Sequence, residues 1–273
     1  GDVYKRQVDT MQARPIVFLY HIPKTGGTSL REALSGALGM NRGFIHLGPY
    51  GDRTRSEQNL KPLEEYSREE LDRIRVLSGH YLSTRFEKYF PGRDIRRIVL
   101  LREPATRILS QYNHAMRNRA RLGLKTIDFH AWYEDEALPQ FDWQSLYGRK
   151  LSLEDKKIAI ASVGHNYMSR FLLDALGIQG YPDMPDEQLL SNINQILDSF
   201  WHVGSIEQLP ASVGKLEQLL GLTLDVGTHN RSGRFFFSKR ARHMKMNHEL
   251  RQYLMDKNRV DYEIYNSRCQ QLD

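Results

Sequence analysis

A single-domain α/β fold is expected, built as a parallel β-sheet flanked by helices with a P-loop-like anion-binding loop. Three observations carry that expectation. Pro15 to Ile22 is an apolar run of strand length that stops at Pro23 and the pair Gly26-Gly27. The residues just after, Thr28 to Leu38, place Leu30, Ala33, Leu34 and Leu38 at helical spacing. The same strand–loop–helix order returns at Ile95 to Leu101, where Pro104 opens a helix reaching about Arg121. Strands that read as unbroken apolar runs, each followed by a helix, form a parallel sheet covered by helices.

The remaining elements follow in chain order. Gly39 stops the first helix. Residues 40–66 carry Gly43, Gly48, Pro49, Gly51 and Pro62 and read as a loop or insertion. Ser67-Arg68-Glu69-Glu70 has the serine and the glutamate three residues on that make a capping box. Arg75 to Tyr81 is a strand of weaker pattern. Residues 127–200 read as mostly helical, most clearly from Asp186 to Phe200, where Leu189, Leu190, Ile193, Ile196 and Leu197 recur. Trp201 to Ile206 is a further strand, Leu209 to Leu220 an amphipathic helix and Met246 to Arg259 the last helix. No repeat or linker divides the chain, so residues 11–273 are expected as one domain. Residues 1–10 read as a non-native or disordered leader ahead of Met11.

Composition removes several classes. With 40% hydrophobic and 26% charged residues among 273, the chain is neither disordered nor fibrous. Cys269 is the only cysteine, which excludes an internal disulfide framework and any multi-cysteine zinc site. No apolar stretch approaches the ~18 residues of a membrane-spanning helix. A cytoplasmic, bacterial protein is expected. The net charge of +6 favours anionic partners without choosing among them. Arg231, Arg234, Lys239, Arg240, Arg242 and Lys245 form a basic run free of acids around Phe235-Phe236-Phe237, a candidate anion-binding segment. Arg117, Arg119, Arg121 and Lys125 form a second run, read as solvated surface.

Two motifs carry chemistry. The first is His21-Ile22-Pro23-Lys24-Thr25-Gly26-Gly27-Thr28-Ser29. Its glycines let the backbone turn tightly, and the helix that follows offers unpaired N–H groups and a positive dipole end. Lys24 adds a mobile cation, and Thr25, Thr28 and Ser29 add hydroxyls. Lys24 precedes the glycines, whereas the phosphate loop of nucleotide triphosphatases places lysine after the last one. The second motif is Leu101-Arg102-Glu103-Pro104, with Arg107 and Ser110 further on. Arg102 stands at a strand's carboxyl end, where open α/β sheets bind ligands. Ser110 follows on the next helix, so the pair can hold one phosphate.

Together these motifs resemble the sulfotransferases that use 3′-phosphoadenosine 5′-phosphosulfate (PAPS). The likeness is to the branch of heparan sulfate 2-O- and 6-O-sulfotransferases and their soluble bacterial relatives. The resemblance implies that Lys24, Thr25, Gly26, Gly27, Thr28 and Ser29 form the 5′-phosphosulfate loop. It implies that Arg102 and Ser110 hold the 3′-phosphate. It further implies in-line transfer of a sulfuryl group to an acceptor hydroxyl, with Lys24 stabilising the leaving phosphate. No metal is called for. The candidate base is His80 in Leu77-Ser78-Gly79-His80-Tyr81, because imidazole titrates near neutral pH. Glu32, on the loop's helix, is the fallback, and His21 is read as part of the strand–loop junction. Looser likeness extends to Asn166-Tyr167-Met168-Ser169-Arg170, and Arg231 or Arg234 is placed over the cofactor. The expected partner is a small-molecule or glycan acceptor, with no nucleic acid and no membrane span. Two alternatives stand beside this reading: a P-loop-type nucleotide kinase or phosphotransferase, and a non-catalytic polyanion-binding protein.

Overall fold

The computed structural model describes residues 14–40, 42–47, 62–121, 123–134, 164–226 and 244–270. Among them five strands form one sheet: β1 Ile16–Tyr20, β2 Phe44–Leu47, β3 Val76–Gly79, β4 Ile95–Leu101 and β5 His202–Ser205. The spatial order is β2-β3-β1-β4-β5 and every pairing is parallel. Leu19 lies beside Ser78 of β3 on one side and Ile98 of β4 on the other. The helices are α1 Gly27–Leu38, α2 Arg68–Arg73, α3 Pro104–Arg121, α4 Phe129–Tyr133, α5 Tyr167–Ala175, α6 Asp186–Asp198, α7 Leu209–Leu220, α8 His248–Lys257 and α9 Arg259–Cys269.

The alternation of side chains along β1 builds the layers. Ile16, Phe18 and Tyr20 face a core shared with Leu172 of α5, Leu189 and Ile193 of α6 and Ile264 of α9. Val17 and Leu19 face the opposite way, onto Leu30 and Leu34 of α1 and Leu216 and Leu220 of α7. With both faces covered, all five β1 residues are buried, which is why the strand reads as a continuous apolar run. A third cluster joins α3, α4, α8 and α9 through Ile108, Tyr112, Trp132, Leu254 and Tyr262. The partly buried Met244 and Met246 pack against it.

Two elements differ from expectation. The segment read as a loop over 40–66 contains β2, whose four residues are all buried. The run is short and His46 interrupts its apolar character, so pattern alone hides it. The helix expected from Met246 to Arg259 ends at Lys257, and a further helix, α9, follows a break at Asn258, whose backbone leaves helical geometry at φ −127°. That break serves a buried polar junction. Asn258 Oδ1 accepts from the Asn166 amide at 2.9 Å, and Asn166 Oδ1 accepts from the Val260 and Asp261 amides. The Asp261 carboxylate in turn accepts from the amides of Met168 and Ser169 and from the Ser169 hydroxyl. A carboxylate at a helix N-terminus satisfies donors that the helix itself cannot. This junction explains the Asn166–Arg170 motif as packing between α5 and α9.

The sheet's strand order also positions the site. The chain leaves β1 for the face covered by α1, and leaves β4 for helices that end, at α5 and α6, on the opposite face. A crevice opens where neighbouring strands part in this way, outside their carboxyl ends. Both sequence motifs lie there. Among the described residues no helix is long and apolar enough to cross a membrane.

Candidate active site

The turn from β1 to α1 is held by its own residues. The Thr25 hydroxyl donates to the Ile22 carbonyl at 3.0 Å, and Thr25 is buried. Lys24 adopts φ +72° and Gly26 φ +88°. The left-handed region costs glycine nothing but strains a lysine, and such strain concentrates at functional sites. Gly26 is the N-cap of α1, and no side chain caps that end. The next residue must be glycine for a different reason. A β-carbon at Gly27 would sit 2.1 Å from His21 Cδ2, so the His21 ring occupies the space a side chain would need. Ser29 is buried and Thr28 half-buried in the first turn.

The second motif meets this turn directly. Arg102 Nη1 donates to the Lys24 carbonyl at 3.1 Å, joining the ends of β4 and β1. Glu103 accepts at Oε2 from the Thr106 amide at 2.8 Å and at Oε1 from Arg251 and the Tyr262 hydroxyl. It thereby caps α3 and ties it to α8 and α9. Ser110 lies half-buried two turns into α3, with no hydrogen bond to Arg102 among the described residues. Arg107 is 1% exposed, lies over the Tyr167 ring at 4.6 Å and is balanced by Asp261, so it belongs to the interior.

Burial pushes the Lys24 ammonium down to about 8, and the guanidinium groups of Arg117 and Arg102 add repulsion. Arg117 is exposed, as the sequence predicts, and its charge also reaches the loop. Its position seven residues after Ser110, two helical turns on the same face, is the signal that was available in the sequence. Burial also lowers Arg102, partly offset by Glu207 and Glu103.

Three histidines gather at the carboxyl ends of β1, β2 and β3. The ring centroids of His21 and His80 lie 4.4 Å apart, those of His21 and His46 6.0 Å and those of His46 and His80 6.3 Å. His80 Nδ1 is 2.6 Å from the His21 carbonyl oxygen. A carbonyl only accepts, so Nδ1 carries the proton and the basic lone pair sits on Nε2. Burial pushes His80 down to about 4, with the His21 carbonyl opposing and Arg31 and Lys24 adding repulsion. The imidazole is therefore neutral at ordinary pH. Burial holds His21 and His46 below their ordinary range as well. Among the described residues no group of His, Cys, Asp or Glu is arranged to hold a metal ion.

The structure therefore brings Lys24, the glycine turn, Arg102, His21 and His80 together. Glu32 is exposed on α1. His114 pairs with Asn118 and His165 packs on Tyr133, both in the helical layers. Arg231, Arg234 and the phenylalanine triplet lie outside the described residues. His46 and Arg31 are the members of the histidine cluster that sequence reasoning missed. Nothing local marks them, because only the parallel pairing of β2 with β3 brings His46 beside Ser78, two residues from His80.

The lysine-bearing glycine turn after β1 and the arginine after β4 place two cationic side chains together at the carboxyl end of the parallel sheet. The chain belongs to the sulfotransferase family, whose match spans residues 9–266. A comparison with curated proteins gives no match. Membership makes the protein an enzyme of sulfuryl transfer, and the phosphotransferase and non-catalytic polyanion-binder alternatives give way to it.

Proposed function

We propose that the enzyme takes its sulfuryl group from PAPS and passes it to an acceptor hydroxyl on a small molecule or glycan, as in the soluble relatives of the heparan sulfate 2-O- and 6-O-sulfotransferases. The observation that carries this reading is the bond from Arg102 to the Lys24 carbonyl, which fixes the two anion-binding motifs side by side at the crevice.

The residues fit such a donor. The N-terminus of α1, which no side chain caps, offers its first N–H groups to an anion. Lys24, Thr28 and Ser29 supply a cation and hydroxyls for the 5′ group. Arg102, with Ser110 and Arg117 along one face of α3, supplies a second positive locus for the 3′-phosphate. PAPS provides an activated sulfuryl group whose departure leaves charge on a phosphate oxygen. Lys24 and the α1 dipole stabilise that charge as it grows.

His80 Nε2 takes the proton of the attacking hydroxyl as the oxygen–sulfur bond forms and the sulfur–phosphate oxygen bond breaks. The His21 carbonyl holds the imidazole in the tautomer this requires. The test is transfer of labelled sulfate to a panel of hydroxyl acceptors. Lys24→Ala and His80→Ala should each lose transfer by at least ~100-fold with the fold intact, in line with single electrostatic and base contributions. Full activity in Lys24→Ala would overturn the assignment.

A further inference from the structure

Parallel strands place all their amino ends at one pole, and here that pole collects arginine. A cavity of about 290 Å³ lies there, lined by Arg14 before β1, Arg42 before β2, Arg73 and Arg75 before β3 and Arg93 before β4, with Asp72 the only acidic side chain. It is at the opposite end of the strands from the Lys24 turn. We propose that this cavity is a second anion site, which takes a phosphate or sulfate ester group distinct from the transferred one.

The bonding of the arginines supports the assignment. Arg93 donates to three backbone carbonyls, of Arg14, Pro15 and Ile74, the last at 2.7 Å. Arg75 Nη2 donates to the Leu220 carbonyl at 3.0 Å. Carbonyl oxygens orient a guanidinium without cancelling its charge, so both groups face the cavity as fixed cations. Arg75 Nε is buried and has no hydrogen-bond partner among the described residues, a donor that an oxyanion would satisfy. Two further charges of the lining also have ion-pair partners. Arg73 pairs with Glu69, and the Asp72 carboxylate pairs with Arg68 at 2.5 Å.

Arg14 and Arg42 are exposed members of the lining. Guanidinium groups suit this because their donors match phosphate and sulfate oxygens in pairs. The volume lies just below the ~300–1,000 Å³ of clefts for drug-sized ligands, which fits one oxyanion group on a short stem. Burial also lowers Arg93, to about 10; the nearby Asp72 carboxylate opposes that shift, and repulsion from Arg75 adds to it. A bound dianion would relieve that.

The experiment is calorimetric titration with inorganic pyrophosphate and, separately, with glucose 6-sulfate. It compares the unaltered protein, Lys24→Ala, and the double variant Arg14→Gln/Arg42→Gln, whose exposed side chains leave the fold undisturbed. Binding of at least one probe should persist in Lys24→Ala and weaken at least tenfold in the double variant. Preference for the sulfated sugar would assign a sulfate ester, and preference for pyrophosphate a phosphate. Binding that is abolished by Lys24→Ala, or that is unchanged in the double variant, would overturn the proposal.

Discussion

Gly27→Ala tests whether the turn is shaped by the His21 ring. Gly27 sits in the first turn of a helix with ordinary backbone angles, so on propensity alone alanine should stabilise by about 0.5–1 kcal/mol. The structure reverses that sign. The added β-carbon would lie 2.1 Å from Cδ2 and 2.3 Å from Nε2 of His21. The ring has little room to move, being 7% exposed and 4.4 Å from the His80 ring. Overpacking of this kind costs about 1–3 kcal/mol, so Gly27→Ala should destabilise by a net ~0.5–2 kcal/mol. In the background of His21→Ala the obstacle is gone, and adding Gly27→Ala should stabilise by about 0.5–1 kcal/mol. Urea unfolding of the four proteins reads both numbers. If Gly27→Ala is as stable as the unaltered protein, or if its effect is the same with and without the His21 ring, the packing argument fails.

Three other outcomes follow. The Lys24 ammonium titrates near 8 in the free protein, and a bound polyanion raises that value. Nucleotide affinity should therefore hold below pH 7 and fall by up to about tenfold from pH 7 to 9 as the cation is lost. Titrations at several pH values, in buffers of different ionisation enthalpy, would show the coupled proton uptake. His80, near 4 in the free protein, is neutral across the working range. Hence kcat/KM should stay flat down to about pH 5 and fall only below it, and His80→Gln should remove that acid limb along with most of the turnover. Asp261→Asn turns one of two carboxylate oxygens, which together accept three hydrogen bonds, into a donor, so it should cost about 2–4 kcal/mol in urea unfolding while leaving the nucleotide site's affinity unchanged in the folded protein.

Local pattern made the layers of the fold legible, but not the meeting of its parts. β1 and the second half of β4, Ile98 to Leu101, read correctly because burial on both faces demands unbroken apolar runs, and the capping box at Ser67 and Glu70 forms as its spacing requires. β2 escaped because four residues interrupted by His46 give no period. The break at Asn258 escaped because its cause is a hydrogen bond to Asn166, 92 residues away. The same limit governs the site. Lys24, Gly26 and Gly27 act through local geometry, so spacing exposed them. His21, His46 and His80 come from three strand ends that only the sheet order makes neighbours.

Whether the Lys24 turn and Arg102 bind a 3′-phosphorylated adenine nucleotide is read most directly by calorimetric titration with 3′-phosphoadenosine 5′-phosphate, with ATP and AMP alongside. Tight binding of the 3′-phosphorylated nucleotide, much weaker binding of ATP and AMP, and loss of the difference in Arg102→Ala are the predicted results. Equal affinity for ATP, or no binding of the 3′-phosphorylated nucleotide, would contradict the account.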